Sequence, residues 1–166
     1  LSLHDALPIW YLRMLFGWLT EEEYISKNPM LRIKDNKVEH KVKEVFEEEQ
    51  ITIVKDVAKQ HSKRDIAIVD FLHRTGVRIS EMVALNREDI DFYDRECIVY
   101  GKGRKERPVY FSWDASVHLR EYLESRTDDN PALFVGSRAP YKRLTDDGVR
   151  AMLKSISEMD PRLEGV

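Results

Sequence analysis

Apolar residues recur at helical spacing through most of the chain and switch to alternation in one central stretch. Over residues 10–25, Trp10, Leu12, Leu15, Phe16, Trp18 and Leu19 crowd one broad face ahead of three glutamates, which predicts a packing helix. Pro29 disfavours helix at Asn28 and marks its end. Residues 32–43 are polar, highly charged and without a period, which reads as a linker. Phe46, Ile51, Ile53, Val54 and Val57 then space one helix. Ile66, Ile68, Val69, Phe71 and Leu72 space a second, with Gly76 as its C-terminal stop. RISEMVAL (78–85) forms a short third helix. From Asn86 the pattern alternates: Ile90 and Phe92, then residues 97–100, then Val109, Tyr110 and Phe111. Turn signals at 93–95 and 101–105 make this a three-stranded antiparallel meander. Ser112 caps a helix reaching about Ser125, residues 133–136 (LFVG) form a short extended piece, and Thr145 caps a last helix carrying Val149, Met152, Leu153 and Ile156. The fold class is α+β, mostly helical with a small three-stranded antiparallel sheet. Its organisation is a short helical piece at 10–31, a linker at 32–43 and a larger domain at 44–166.

Composition changes this picture in three places. The formal net charge of −3 speaks against general nucleic-acid affinity but leaves room for a local basic patch. The single cysteine, Cys97, excludes an internal disulfide and a cysteine-based metal site, and fits a reducing, cytoplasmic compartment. No stretch approaches the roughly 18 consecutive apolar residues of a membrane span, so no membrane partner is expected. LSLHDALPI (1–9) matches the in-frame translation of a common sequencing-library adapter. It is expected to be an artefact rather than a short native tail, and is set aside from the fold.

Three groups of residues could carry chemistry. Arg78 follows a Thr-Gly turn and opens the short third helix, with Glu81 three residues on. A half-buried guanidinium needs a partner, so one reading is an ion pair that holds the helix. The other is an anion site, in which the helix N-terminus and a planar bidentate cation grip a phosphate. The second group is GKGRKERP (101–108), where Lys102, Arg104, Lys105 and Arg107 against Glu106 leave a local charge of +3. It is either a solvated hairpin tip or a phosphate-tracking element. The third is Arg138, Lys142, Arg143, Arg150 and Lys154, offset by Asp146 and Asp147. It is either a helix face in solvent or part of a DNA-facing surface.

TGVRISEMVALNREDIDF (75–92), followed by a hairpin holding GKGRKERPVYF, resembles the catalytic domain of the tyrosine recombinases, or phage integrases. YLRMLFGWLTEEEYISKNPM is similar to the end of the family's helical core-binding domain, and EVFEEEQI to the first helix of its catalytic domain. LFVGS and RLTDDGVRAML resemble the segment before its second catalytic box. The resemblance implies a catalytic-domain fold preceded by the end of a core-binding domain. It also implies a mechanism in which a tyrosine attacks a DNA phosphodiester, forms a 3′-phosphotyrosyl link, and rejoining reverses the step. Arg78 then corresponds to the arginine that grips the scissile phosphate, Lys102 to the lysine that protonates the 5′-oxygen, and Glu81 to the acidic residue that orients Arg78. Arg104, Lys105, Arg107, Lys142 and Arg143 become contacts to double-stranded DNA. The partners implied are DNA and, in the longer parent, a homo-tetramer.

The family places its His-x-x-Arg box and nucleophilic tyrosine after the last helix read here, and none of Tyr11, Tyr24, Tyr93, Tyr100, Tyr110, Tyr122 and Tyr141 lies in that context. The expectation is a catalytic domain truncated before its nucleophile, binding DNA weakly without cleaving it. Two rivals are a non-catalytic DNA-binding or regulatory protein of the same fold, and a type IB topoisomerase, against which the integrase-like flanks speak.

Overall fold

The computed structural model describes residues 9–33, 46–101, 103 and 105–163. Most of the residues read as adapter-derived and as linker, together with Lys102 and Arg104, lie outside that set. The chain divides into two compact units, Leu1–Lys43 and Glu44–Val166.

In the first unit, α1 spans Ile9–Glu21 and is followed by a 3-10 turn at Pro29–Arg32. Asn28 caps that turn by accepting from the Met30 N–H at 2.9 Å, and Arg13 donates to the Ile33 carbonyl at 2.8 Å. The helix stops four residues short of the sequence expectation. Glu21, Glu22 and Glu23 meet at the negative end of the helix dipole, which disfavours continuation, and Glu23 turns the backbone out at φ 59°. No residue of α1 is buried: Trp10, Met14, Leu15 and Trp18 face solvent.

The second unit opens with α2 (Glu48–His61) and α3 (Lys63–Thr75). Ser62 separates them and caps α3 by accepting from the Asp65 N–H at 3.1 Å. Gly76 ends α3 in the left-handed region at φ 61°, donating to the Leu72 carbonyl. A short α4 (Ile79–Ala84) and a 3-10 turn (Arg87–Asp89) lead into the sheet. Its strands β1 (Ile90–Asp91), β2 (Glu96–Tyr100) and β3 (Glu106–Tyr110) pair antiparallel in the order β1-β2-β3. The meander is as predicted, but β1 has only two residues. Asp91 ends it by accepting from the N–H groups of Tyr93 and Asp94 at 2.7 and 3.0 Å, an Asx turn that replaces further strand pairing. Pro108 is tolerated because β3 is an edge strand.

Helix α5 (Trp113–Glu124) is capped by Ser112, and α6 (Asp146–Met159) by Thr145, as expected; a 3-10 turn (Pro161–Leu163) follows. Residues 133–136 are not a strand. Isolated bridges at Asn86–Ala132 and Val135–Arg143 flank a bend. Leu133 and Phe134 are adjacent and both fully buried, whereas a half-buried strand would alternate them. Helix α3 packs against both α2 and α5. Phe71 sits in the middle of the core, 5.8 Å from Phe111 and 6.4 Å from Phe134 by ring centroid. No helix among the described residues is long and apolar enough to cross a membrane.

The loop after α5 is organised by Arg126, whose side chain is only 3% exposed. It donates to both carboxylate oxygens of Asp128 and to the carbonyls of Asn130, Ala132 and Leu133. The guanidinium holds the Asp128 carboxyl at about 2, against an ordinary 3.8. A depressed carboxylate pKa stabilises the fold above 3.8, and that contribution is lost as pH falls through about 2. Arg126→Ala is expected to destabilise the chain by roughly 3–5 kcal/mol, because it removes the main partner of a carboxylate, which keeps Arg87 and the Asn130 N–H, and the donor to three carbonyls. Lys154→Ala removes an exposed pair with Glu158 at 3.7 Å and is expected to stay within about 0.5 kcal/mol. Urea unfolding of the two variants at neutral pH checks both values.

Candidate functional site

Helix α4 is six residues long, too short to be stable on its own propensity, and its start is fixed by side chains. Thr75 donates its hydroxyl to the Phe71 carbonyl at 2.5 Å and accepts from the Val77 N–H at 3.3 Å. With Gly76 left-handed, the chain turns sharply out of α3 and buries Val77. Arg78 then takes the N-cap position with extended backbone. Glu81, three residues on, reaches back: one oxygen accepts the Arg78 N–H at 3.0 Å and the other the Arg78 guanidinium at 2.8 Å. This is the returning half of a capping box.

A second guanidinium completes the cluster. Arg107 on β3 donates to the oxygen of Glu81 that also takes the Arg78 N–H, at 2.7 Å. The Glu81 side chain is 4% exposed, those of Arg107 and Arg78 42% and 72%. The expectation of a half-buried Arg78 is therefore inverted. The buried charge is the carboxylate, and Arg78 stands out from the surface. The Arg78 N–H, and then the two guanidiniums, hold the Glu81 carboxyl below its ordinary value against an opposing effect of burial. Two guanidinium charges against one carboxylate leave one positive charge in excess at the start of a helix, an arrangement suited to an oxyanion.

The base of the β2–β3 hairpin lies against the same carboxylate. Gly101 donates to the Lys105 carbonyl at 2.9 Å, and a Cβ built on Gly101 would stand 3.7 Å from a Glu81 oxygen. Lys105 is exposed at the hairpin; Lys102 and Arg104 lie outside the described residues. In the third basic group, Arg138, Lys142, Arg150 and Lys154 are exposed. Arg143 is not an unengaged surface cation. Its guanidinium crosses the end of α4, donating to the carbonyls of Val83 (2.8 Å), Ala84 (3.0 Å) and Leu85 (2.8 Å) and to the Asn86 side chain. The sequence read it as a DNA contact; the residue is exposed, and its guanidinium also closes the C-terminal end of α4.

Two buried aspartates on α3 escaped the sequence reading. Asp65 takes His61 and Arg64. Asp70 takes Lys55 from α2 at 2.6 Å and His118 from α5 at 2.5 Å. His61 and Arg64 have His-x-x-Arg spacing, but both turn onto a buried carboxylate rather than toward Arg78's cluster. The signal was available: acids inside the apolar run IAIVDF and directly before it have no reason to be there unless they are paired. Arg107 also left a signal. It shares the inward side of its strand with Val109 and opposes buried Val99. A cation in an inward register position calls for a buried acid.

Comparison with known proteins bears on this arrangement. The model of the phage integrase family matches residues 43–160. The chain is 34% identical over 158 residues to the tyrosine recombinase XerC of Oceanobacillus iheyensis, covering 89% of this chain and 51% of that protein. It is 35% identical over 146 residues to XerC of Staphylococcus aureus, covering 84% and 48%. The chain thus spans about half the length of these relatives. Among solved structures, a Tn1549 transposon integrase in complex with a circular intermediate DNA superposes with a TM-score of 0.68 at 17% identity, over 89% of this chain and 55% of that one. The XerA recombinase gives 0.59 at 24%, over 87% and 52%. Both share the fold.

Glu81→Gln keeps the side-chain shape, removes the charge and leaves one acceptor oxygen. It is expected to destabilise the chain by roughly 1–3 kcal/mol at pH 7. The folded-state pKa lies below 4.5, so the stabilisation is complete above that value and is lost as pH falls through the depressed one. The gap between wild type and variant in urea unfolding should therefore be constant from pH 7 to pH 5 and narrow below pH 4.5.

Proposed function

The chain belongs to the phage integrase family, and from that premise we propose that its parent protein performs site-specific DNA recombination by cleaving and rejoining strands through a 3′-phosphotyrosyl intermediate. The observation that carries this reading is the exposed guanidinium of Arg78, fixed at a helix start by a buried carboxylate. In the proposed mechanism Arg78 binds non-bridging oxygens of the scissile phosphate and stabilises the charge that builds on them during attack. Glu81 holds that guanidinium in place. Lys102 protonates the departing 5′-oxygen as general acid. Arg104, Lys105 and Lys142 contact the DNA backbone around the site. The nucleophilic tyrosine is none of those present here. Tyr122, the buried one, accepts the Val135 N–H at 3.1 Å, and burial raises its pKa, which suits packing rather than attack.

For the 166 residues themselves, the proposal is weak double-stranded DNA binding without cleavage. The working protein would be a homo-tetramer on DNA in the cytoplasm, needing no metal or cofactor, since rejoining conserves the phosphoester bond energy in the covalent link.

Titration of this chain with a fluorescein-labelled duplex is expected to give binding that weakens linearly with the logarithm of salt. Arg78→Ala should weaken it at every sequence tested and lower the salt slope by about one. Binding that ignores salt, or an Arg78→Ala variant that binds as wild type does, overturns the DNA reading. A covalent adduct with a nicked suicide duplex, seen on a denaturing gel, overturns the claim that these residues do not cleave.

A further inference from the structure

Glu81 is where two parts of the chain meet, and Arg107 is the residue that joins them. Arg78 and its helix start lie on one side of the carboxylate. On the other lies the hairpin: a Cβ on Gly101, just after β2, would stand 3.7 Å from one Glu81 oxygen, and Arg107 reaches the second oxygen from β3. Lys102 follows Gly101 directly in sequence. The sequence reading gave Arg107 to the DNA backbone. Its placement argues otherwise. It occupies an inward register position opposite Val99, and its guanidinium engages the acid that also engages Arg78.

We infer that Arg107 is a positioning residue: acting through Glu81, it holds the guanidinium of Arg78 and the hairpin base at Gly101 in one fixed relation. This rests on the reading of Arg78 as a phosphate ligand. Without Arg107 one carboxylate oxygen keeps only the Arg78 N–H. The carboxylate can then rotate, and the Arg78 guanidinium loses its fixed direction. The hairpin base loses its charged tie to α4. A cation that instead met DNA on its own account would add its effect to that of Arg78.

The test uses the full 166-residue chain and the labelled duplex, with wild type, Arg78→Ala, Arg107→Ala, Arg107→Lys and the double alanine variant. Circular dichroism and thermal melting report whether each is folded. Arg107→Ala and Arg78→Ala are each expected to weaken binding by roughly tenfold, and the double variant by little more than either alone. Arg107→Lys, which keeps the charge and a donor, should recover most of the loss, and it carries the test if the alanine variant does not fold. The side-chain NMR signal of the Arg78 guanidinium should move on Arg107→Ala in the absence of DNA. Losses that multiply in the double variant, or an Arg107→Ala variant that binds like wild type while Arg78→Ala does not, overturn the inference and leave the phosphate reading standing. An Arg78→Ala variant with undiminished binding overturns both.

Discussion

One buried carboxylate organises this protein's candidate site. Burying a lone carboxylate is prohibitive, and burying one with its partners is not. Glu81 therefore draws three donors to itself: a backbone N–H that begins a helix, the side chain of the same residue, and a side chain from a strand 26 positions later in sequence. Because the acid is almost fully enclosed and the two guanidiniums are not, the cluster presents positive charge outward from a rigid support. An oxyanion approaching it would meet donors whose direction was set by folding, so little reorganisation would remain.

The other arginines show how an acidic chain can keep such a site. Arg64, Arg126 and Arg143 direct their guanidiniums at buried acids or backbone carbonyls. They tie together segments that the small sheet and six-residue α4 could not hold alone. Among the described residues, positive charge is divided between internal ties and outward groups, Arg78 and Lys105 among the latter. Net charge, which merges the two classes, says little about either.

Periodicity found the described α-helices of the larger unit and the meander, because those elements have one apolar face and boundary residues such as Gly76, Ser112 or Thr145. It failed where side chains override the pattern. Asp91 shortens β1 by capping its own turn, the three glutamates after Thr20 stop α1 early, and Leu133 and Phe134 bury side by side in a bend. The site was legible in the same way. Thr75, Gly76, Arg78 and Glu81 form a local motif, and their contacts lie within a few residues. The roles of Arg107 and Arg143 depend on contacts 26 and about 60 positions away. No spacing rule announces those, although an arginine in the inward register of β3 was a warning.

The cap that Arg143 places on α4 has a consequence for how the molecule assembles. A helix of six residues has no independent existence in water. This one is closed at its start by β3 and at its end by a side chain that follows α5. Both closures join distant parts of the chain, and such contacts form only after long loops have closed. Helix α4 is therefore among the last pieces to consolidate and among the first to fray when the segment after α5 opens. Hydrogen exchange at α4 would track opening of that segment rather than the stability of α3 beside it.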